Sequence, residues 1–376
     1  LACVVWAAAA ASGQRGAADP PKDRDGPYTE YYPNGKIKRQ ARFKAGRLDG
    51  PFRENTEDGQ PRLTAEYRGG KLHGTLTRYE YGRPVLTQQF ADGRPVYARG
   101  LEQIKKELAR IGAAPPRGAK KPPEREVALR RLRAYRYLAG VPYDNLILNG
   151  GMSAAARAAS RICDRLGRMD HAPPNPGLPE AEYRAAFRGA AGSNLAMGFD
   201  SLAAAVDGWM DDSDAKNLPH LGHRRWCLHP WLRQVGFGTA GRFHAMWVFD
   251  ATQKDVPAYD FIAYPAAGLM PLEFFRPSYA WSVVLDPRKY RPPDNHARPR
   301  IYRVDRYFNK LGGPVKLTWT AVDARAYGVP NCVIFRPEPT AVAAGQRCLV
   351  EIPGLRLKAG DRQVTLRYLV EFVSVR

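Results

Sequence analysis

The residues best suited to chemistry lie between His171 and His223. The two histidines are expected to face one another. Between them come a short turn, Gly192-Ser193-Asn194, and a segment whose apolar residues Leu202, Ala205, Val206, Trp209 and Met210 recur with helical period. That segment ends in Asp211-Asp212, so it delivers carboxylates close to His223. Imidazole nitrogens suit zinc and similar metals, and a carboxylate can complete a three-ligand open site. Ser193 beside either histidine resembles a serine and base pair, but no oxyanion-hole motif or third orienting residue can be assigned around it.

The elements that must position these groups can be read from periodicity. A helix starts near Arg125, carries Val127, Leu129, Leu132, Tyr135 and Leu138, and ends at Gly140. In the next helix Met152, Ala155, Ala156, Ala159, Ile162, Cys163, Leu166 and Met169 form one stripe, and its small alanines allow close approach to a sheet. His171 sits just past that helix, before Pro173-Pro174. Gly222 to Trp226, then Val235-Gly236-Phe237-Gly238, read as a helix, a turn and a strand returning through the core. His229 and His244 read as ordinary surface or strand histidines. After Pro257 strand-like runs dominate, from Tyr279–Leu285 to the alternating Val364, Leu366, Tyr368, Val370 and Phe372. A small β-sandwich without a catalytic motif is expected there.

From about Glu126 to Asp250 this order of residues resembles the superfamily of cysteine-rich secretory, antigen 5 and pathogenesis-related proteins, the CAP superfamily, in its bacterial form. The landmarks are Leu129 to Gly140 with Val141-Pro142, the Ala-rich helix leading to His171, Gly192-Ser193-Asn194 in place of Gly-Glu-Asn, Trp209, Gly222-His223-Arg224 and Met246 to Asp250. The resemblance implies an α-β-α sandwich. It also implies a surface cleft where two histidines and two acids converge on a divalent cation, zinc or magnesium. His171 and His223 match the histidines, Asp212 matches one acid, and the other acid falls on Ser193. Asn194 lines the same cleft, and His220 or Asp211 could stand in for the missing ligand. Equally open is a structural role, in which neutral histidines bonded to backbone or to Asp212 hold the cleft together. The family shares no established catalytic activity. The resemblance therefore favours a non-enzymatic module holding a lipid, glycan, peptide or protein, with a metal-assisted, peptidase-like hydrolase as the alternative.

A repeat precedes this region. Gly26, Gly50 and Gly74 are equally spaced, and Gly46-Arg47-Leu48-Asp49-Gly50 returns as Gly70-Lys71-Leu72-His73-Gly74. Asn34-Gly35 between strand-like runs signals a hairpin. Each unit is expected to be a hairpin that buries its aromatic face only when stacked on the next. The block resembles MORN-type repeats and related antitoxin-like proteins, so an interaction scaffold built on the repeats is a further alternative.

Length and charge bound the rest. A chain of 376 residues calls for more than one domain. The charge is 58 − 37 = +21, but the arginines are spread throughout and no nucleic-acid motif occurs, which argues against a nucleic-acid partner. Leu1 to Gly13 reads as the core and cleavage region of an export signal, with Cys3 as a lipoprotein cysteine the alternative. No other run is apolar for the ~18 residues of a transmembrane helix. In an exported protein Cys163 with Cys227, and Cys332 with Cys348, are the simplest bridges, and four buried thiols are the alternative. The expected whole is an exported α+β protein. It comprises a signal-like segment and linker (1–25), hairpin repeats (26–98), a helix and Pro/Lys-rich linker (99–124), a CAP-like domain (125–254) and a β-sandwich-like domain (255–376).

Overall fold

The computed structural model describes residues 24–113, 120 and 122–376; the signal-like run with Cys3 lies outside them. The described residues divide into two compact units, those up to Gly100 with Tyr302–Gly313, and those of Leu101–Ile301 with Pro314–Arg376. Helices and strands are mixed, as an α+β fold requires. Among the described residues no helix is long and apolar enough to cross a membrane.

The first unit is an antiparallel meander of β1 (Gly26–Tyr31), β2 (Ile37–Lys44), β4 (Gly50–Asn55), β5 (Pro61–Arg68), β7 (Gly74–Glu80), β8 (Arg83–Ala91) and β9 (Arg94–Val96). The two-residue strands β3 (Arg47–Leu48) and β6 (Lys71–Leu72) pair with β2 and β5. Asn34-Gly35 makes the first turn, with Gly35 at φ +81° and the Asn34 side chain accepting from the Lys36 N–H. The repeated Gly-x-Leu phrase places Leu48 and Leu72 in the interior. It also links successive repeats, because Gly70 and Gly93 donate backbone N–H groups to the Leu48 and Leu72 carbonyls. At the β8 end the inner face is closed by a segment from far along the chain. Phe308 is buried against Phe90, and the Arg78 guanidinium donates to the Tyr307 carbonyl and the Asn309 side chain.

The second unit contains α1 (Leu101–Gly112), α2 (Glu124–Ala139), α3 (Gly150–Leu166), α4 (Glu180–Ala191), α5 (Leu202–Asp211) and α6 (Gly222–Cys227). They surround a sheet ordered β10 (Ile147–Leu148), β12 (Gln234–Ala240), β13 (Phe243–Trp247), β11 (Ser193–Met197). The Ala-rich stripe of α3 does what its small side chains allow. A Cβ on Gly236 would lie 2.1 Å from the Met152 carbonyl carbon, and one on Gly238 2.2 Å from the Arg157 nitrogen, so only glycine lets the helix backbone lie against β12. Ser193 and Asn194, read above as part of a turn, open strand β11, because their partners Trp247 and Met246 on β13 extend the ladder to them.

Beyond Pro257 two four-stranded sheets face each other. One is ordered β14 (Phe261–Tyr264), β16 (Trp281–Leu285), β19 (Cys332–Pro337), β18 (Leu317–Asp323). The other is ordered β15 (Gly268–Pro271), β21 (Gln363–Val373), β20 (Arg347–Arg356), β17 (Arg300–Val304). Trp281 of the first meets Phe372 of the second at 5.8 Å, both fully buried. The expected disulfides are not formed: Cys163, Cys227, Cys332 and Cys348 are buried thiols. Cys332 and Cys348 sit on different sheets of the sandwich, with Sγ atoms near the Val333 and Ala341 carbonyls respectively. Cys163 faces an apolar cluster under β11 and β13, whereas Cys227 lies beside the Asn194 amide.

Candidate functional site

His171 and His223 do come together, with ring centroids 6.5 Å apart and planes inclined by 34°. His171 is carried on the loop after α3, whose helix is closed by Gly167 in the left-handed conformation. Its Nδ1 lies 2.9 Å from the Ala190 carbonyl at the end of α4. A carbonyl can only accept, so Nδ1 carries a proton and the lone pair of the neutral ring falls on Nε2.

His223 is the second residue of α6, and its Nδ1 lies 2.8 Å from Asp212 Oδ1. Asp212 ends α5 at φ +48° and is almost completely buried. Its Oδ2 accepts the Arg224 backbone N–H. Burial disfavours the charged His223 ring, but the Asp212 charge and hydrogen bond outweigh it and hold the His223 pKa above the usual imidazole value. Asp212 is therefore the orienting partner of His223, leaving Nε2 of that ring as the ligating or basic nitrogen.

This alters the set expected from the sequence. Among the described residues no three His, Cys, Asp or Glu side chains converge where they could hold a metal ion. What lies in the cleft is two imidazoles, each with Nδ1 engaged. Any cation held there would complete its coordination with water or with oxygens of a ligand. His220 packs on Tyr327 at 5.0 Å, and burial lowers its pKa. Asp211 Oδ1 is buried without a hydrogen-bond partner, and burial raises the carboxyl pKa. Ser193 Oγ is also buried without a partner. Asn194 holds the site's frame, donating from Nδ2 to the His223 carbonyl at 3.0 Å and so tying α6 to β11. His244 and His229 stand apart from the pair, and His244 is saturated by Thr239 Oγ1 and the Phe199 carbonyl.

The residues that sequence reasoning missed are the arginines that fix α6. Arg224, fully buried, donates from Nε to the Met210 carbonyl at 2.7 Å, and from Nη2 and Nη1 to the Asp211 and Ala280 carbonyls, each at 2.6 Å. Arg225 pairs with Asp323 at 2.8 Å and donates to the Val329 carbonyl. Arg136, also fully buried, donates to the Pro142, Cys227 and His229 carbonyls. The one available signal was the doubled arginine directly after His223.

Residues 129–249, the segment that holds both histidines, match the cysteine-rich secretory protein family, CAP. Among solved structures the chain is similar to an extracellular protein containing an SCP domain from Bacillus anthracis str. Ames, at 15% identity and a TM-score of 0.24. The alignment covers 59% of this chain and 66% of that one, just under two thirds of the neighbour's length. No curated protein matches.

Proposed function

From the family match around the two histidines, we propose that this protein is a non-enzymatic module of the cell envelope or extracellular space. Its cleft holds a ligand or partner, and the His171–His223 pair takes up a divalent cation such as zinc. The observation that carries the reading is the tautomer lock. Both Nδ1 atoms are spent, one on the Ala190 carbonyl and one on Asp212, so two Nε2 lone pairs are left on neighbouring rings. Second-shell bonds of this kind orient imidazoles for metal. An exported location accords with the signal-like run that opens the sequence.

Titration calorimetry with zinc and magnesium tests it. Wild type should bind zinc; His171→Ala and His223→Ala should not, and Asp212→Asn should weaken binding by roughly ten- to a hundredfold. Ser193→Glu, which adds the anionic oxygen this cleft lacks, should strengthen it. Absence of binding in all of these proteins would leave the pair as a structural polar cluster.

A second reading is favoured by the Asp212–His223 bond itself, because a carboxylate-oriented imidazole of raised pKa is also how a general base is built. In that reading the same cleft is hydrolytic. Turnover on peptide and ester panels that disappears with chelator and in His223→Ala would move the assignment to it.

A further inference from the structure

The repeats of the first unit turn three times in the same way. Ala45-Gly46, Gly69-Gly70 and Asp92-Gly93 each place both residues at positive φ, which is the two-residue turn that matches the twist of its strands. Such a turn sets its flanking residues directly opposite one another, Lys44 against Arg47, Arg68 against Lys71 and Ala91 against Arg94. Phe43, Leu48, Leu72 and Phe90 are buried on the inner face. Alternation along each strand therefore puts the flanking residues on the outer face, where all five cations are exposed. A Cβ on Gly70 would lie 3.6 Å from the Arg47 Cβ, and one on Gly93 3.7 Å from the Lys71 Cβ, so these cations lean over the turn of the following repeat. The nearby acids are engaged elsewhere. Asp25 accepts the Ala45 N–H at 2.5 Å, Asp49 accepts the Gly69 N–H at 3.0 Å, and Asp92 faces His73 at 3.5 Å. Glu66, on the outer face of β5, has its carboxylate over Gly74. None of the five cations enters an ion pair among the described residues.

Like charges directly opposite in a sheet destabilise it, yet two successive repeats carry such a pair at the same position. An anionic partner turns that repulsion into attraction, and the spacing says which kind. Successive repeats are two strands apart, so two cations per repeat amount to one about every 5 Å along a row that crosses the strands. A linear polymer with one carboxylate on each sugar ring carries charge at a similar density. Duplex DNA, with one charge per ~1.7 Å of axis, is far denser and would leave most of its phosphates unmatched. A bilayer surface is entered by apolar side chains, which this face does not offer. Its second row is Thr29, Gln40, Arg53, Thr64, Thr77 and Thr87, in register from β1 to β8, and these side chains suit the hydroxyls of a sugar polymer. We propose that the outer face of the repeat sheet binds a linear acidic polysaccharide, a polyuronate, with its carboxylates on the Lys44/Arg47 and Arg68/Lys71 pairs and on Arg94. The proposal does not rest on the reading of the histidine cleft.

The test is calorimetry of the full chain with polygalacturonate, neutral dextran, duplex DNA and phosphatidylglycerol vesicles at low salt. Polygalacturonate should bind and dextran should not. The binding should fade as salt rises to about 300 mM, where screening shortens the reach of each cation to less than ~8 Å. Lys44→Gln with Arg47→Gln, and Arg68→Gln with Lys71→Gln, should each weaken binding by about tenfold. Lys36→Gln with Arg83→Gln removes the same charge at the opposite turns and should weaken it by less than about twofold. Both row variants should melt no lower than wild type, because each relieves a like-charge pair, so a loss of binding cannot be put down to unfolding. Failure of polygalacturonate to bind would overturn the proposal. Equal losses in the row and control variants would also overturn it, by showing that net charge alone is read. Tighter binding of DNA or of the vesicles than of polygalacturonate would overturn the assignment of the partner.

Discussion

At the scale of single residues, the difference between His223 and His229 shows what surroundings do to one side-chain type. His223 gains a proton-holding partner in Asp212, whereas His229 is buried with its Nδ1 unsatisfied. An imidazole whose folded-state pKa is about 4 must fold neutral. The unfolded chain, with an ordinary value near 6.5, takes up protons first as pH falls. Stability should therefore be intact above pH ~6.5 and fall by up to about 3 kcal/mol by pH ~4 through this residue alone. Urea unfolding at pH 7 and pH 4.5 checks it: wild type should lose more stability than His229→Gln, and equal losses would remove His229 from the account. The sequence read His229 as ordinary, because nothing in a string of residues reveals that Trp226, Trp231 and Arg136 enclose it. The pairing of His171 with His223 was legible from the flanking motifs. Asp212 was legible only as one of two readings, a metal ligand or a partner of an imidazole, since spacing alone cannot say which a carboxylate faces; the bond to His223 Nδ1 is the second.

At the scale of elements, helix α6 is held by charge that never reaches solvent. Replacing Arg224 by Met would leave the Met210, Asp211 and Ala280 carbonyls short of donors inside the protein. Each such loss costs about 1–3 kcal/mol, so the variant should be destabilised by at least about 3 kcal/mol, with zinc affinity falling alongside as α6, which carries His223, loses its side-chain fixings. Thermal melts and calorimetry on the same sample measure both; a loss of affinity without a loss of stability would contradict the structural role. The contact of α3 with β12 gives a second prediction. Gly238→Ala places a methyl against the Arg157 backbone, which cannot move as a side chain could, and should cost about 3 kcal/mol. The alanine stripe of α3 announced this packing in the sequence. The arginine clamps did not announce themselves, because a run of two arginines does not show its acceptors until the fold brings the Met210, Asp211, Ala280 and Val329 carbonyls to it.

At the scale of the whole molecule, the second unit is one body. Arg225 reaches from α6 to Asp323 and the Val329 carbonyl, so the family-matched segment and the sandwich share buried polar bonds. A chain ending at residue 254 would strand that guanidinium, and its melting transition should broaden or vanish in circular dichroism; a cooperative transition like that of the full chain would show the segment self-sufficient. In the first unit, Phe308→Ala empties the space over Phe90 and should destabilise by about 3–5 kcal/mol. Differential scanning calorimetry can assign that loss to the repeat sheet. The hairpin repeats were legible from equal glycine spacing and the Asn34-Gly35 turn. Their partner segment was not, because residues 302–313 lie outside the repeat and carry no trace of its period.

That partner segment sets a clock on biosynthesis. The repeat sheet is made first, yet its inner face at Phe90 waits for Phe308. Roughly 200 residues separate the two, so at about 5–20 residues per second the gap lasts on the order of 10–40 s. For that interval the newborn sheet presents Phe90 and an unpartnered Arg78 to its surroundings, in the state where chains most readily stick to one another. Whatever accompanies the nascent polypeptide must keep this face covered until translation passes residues 302–313.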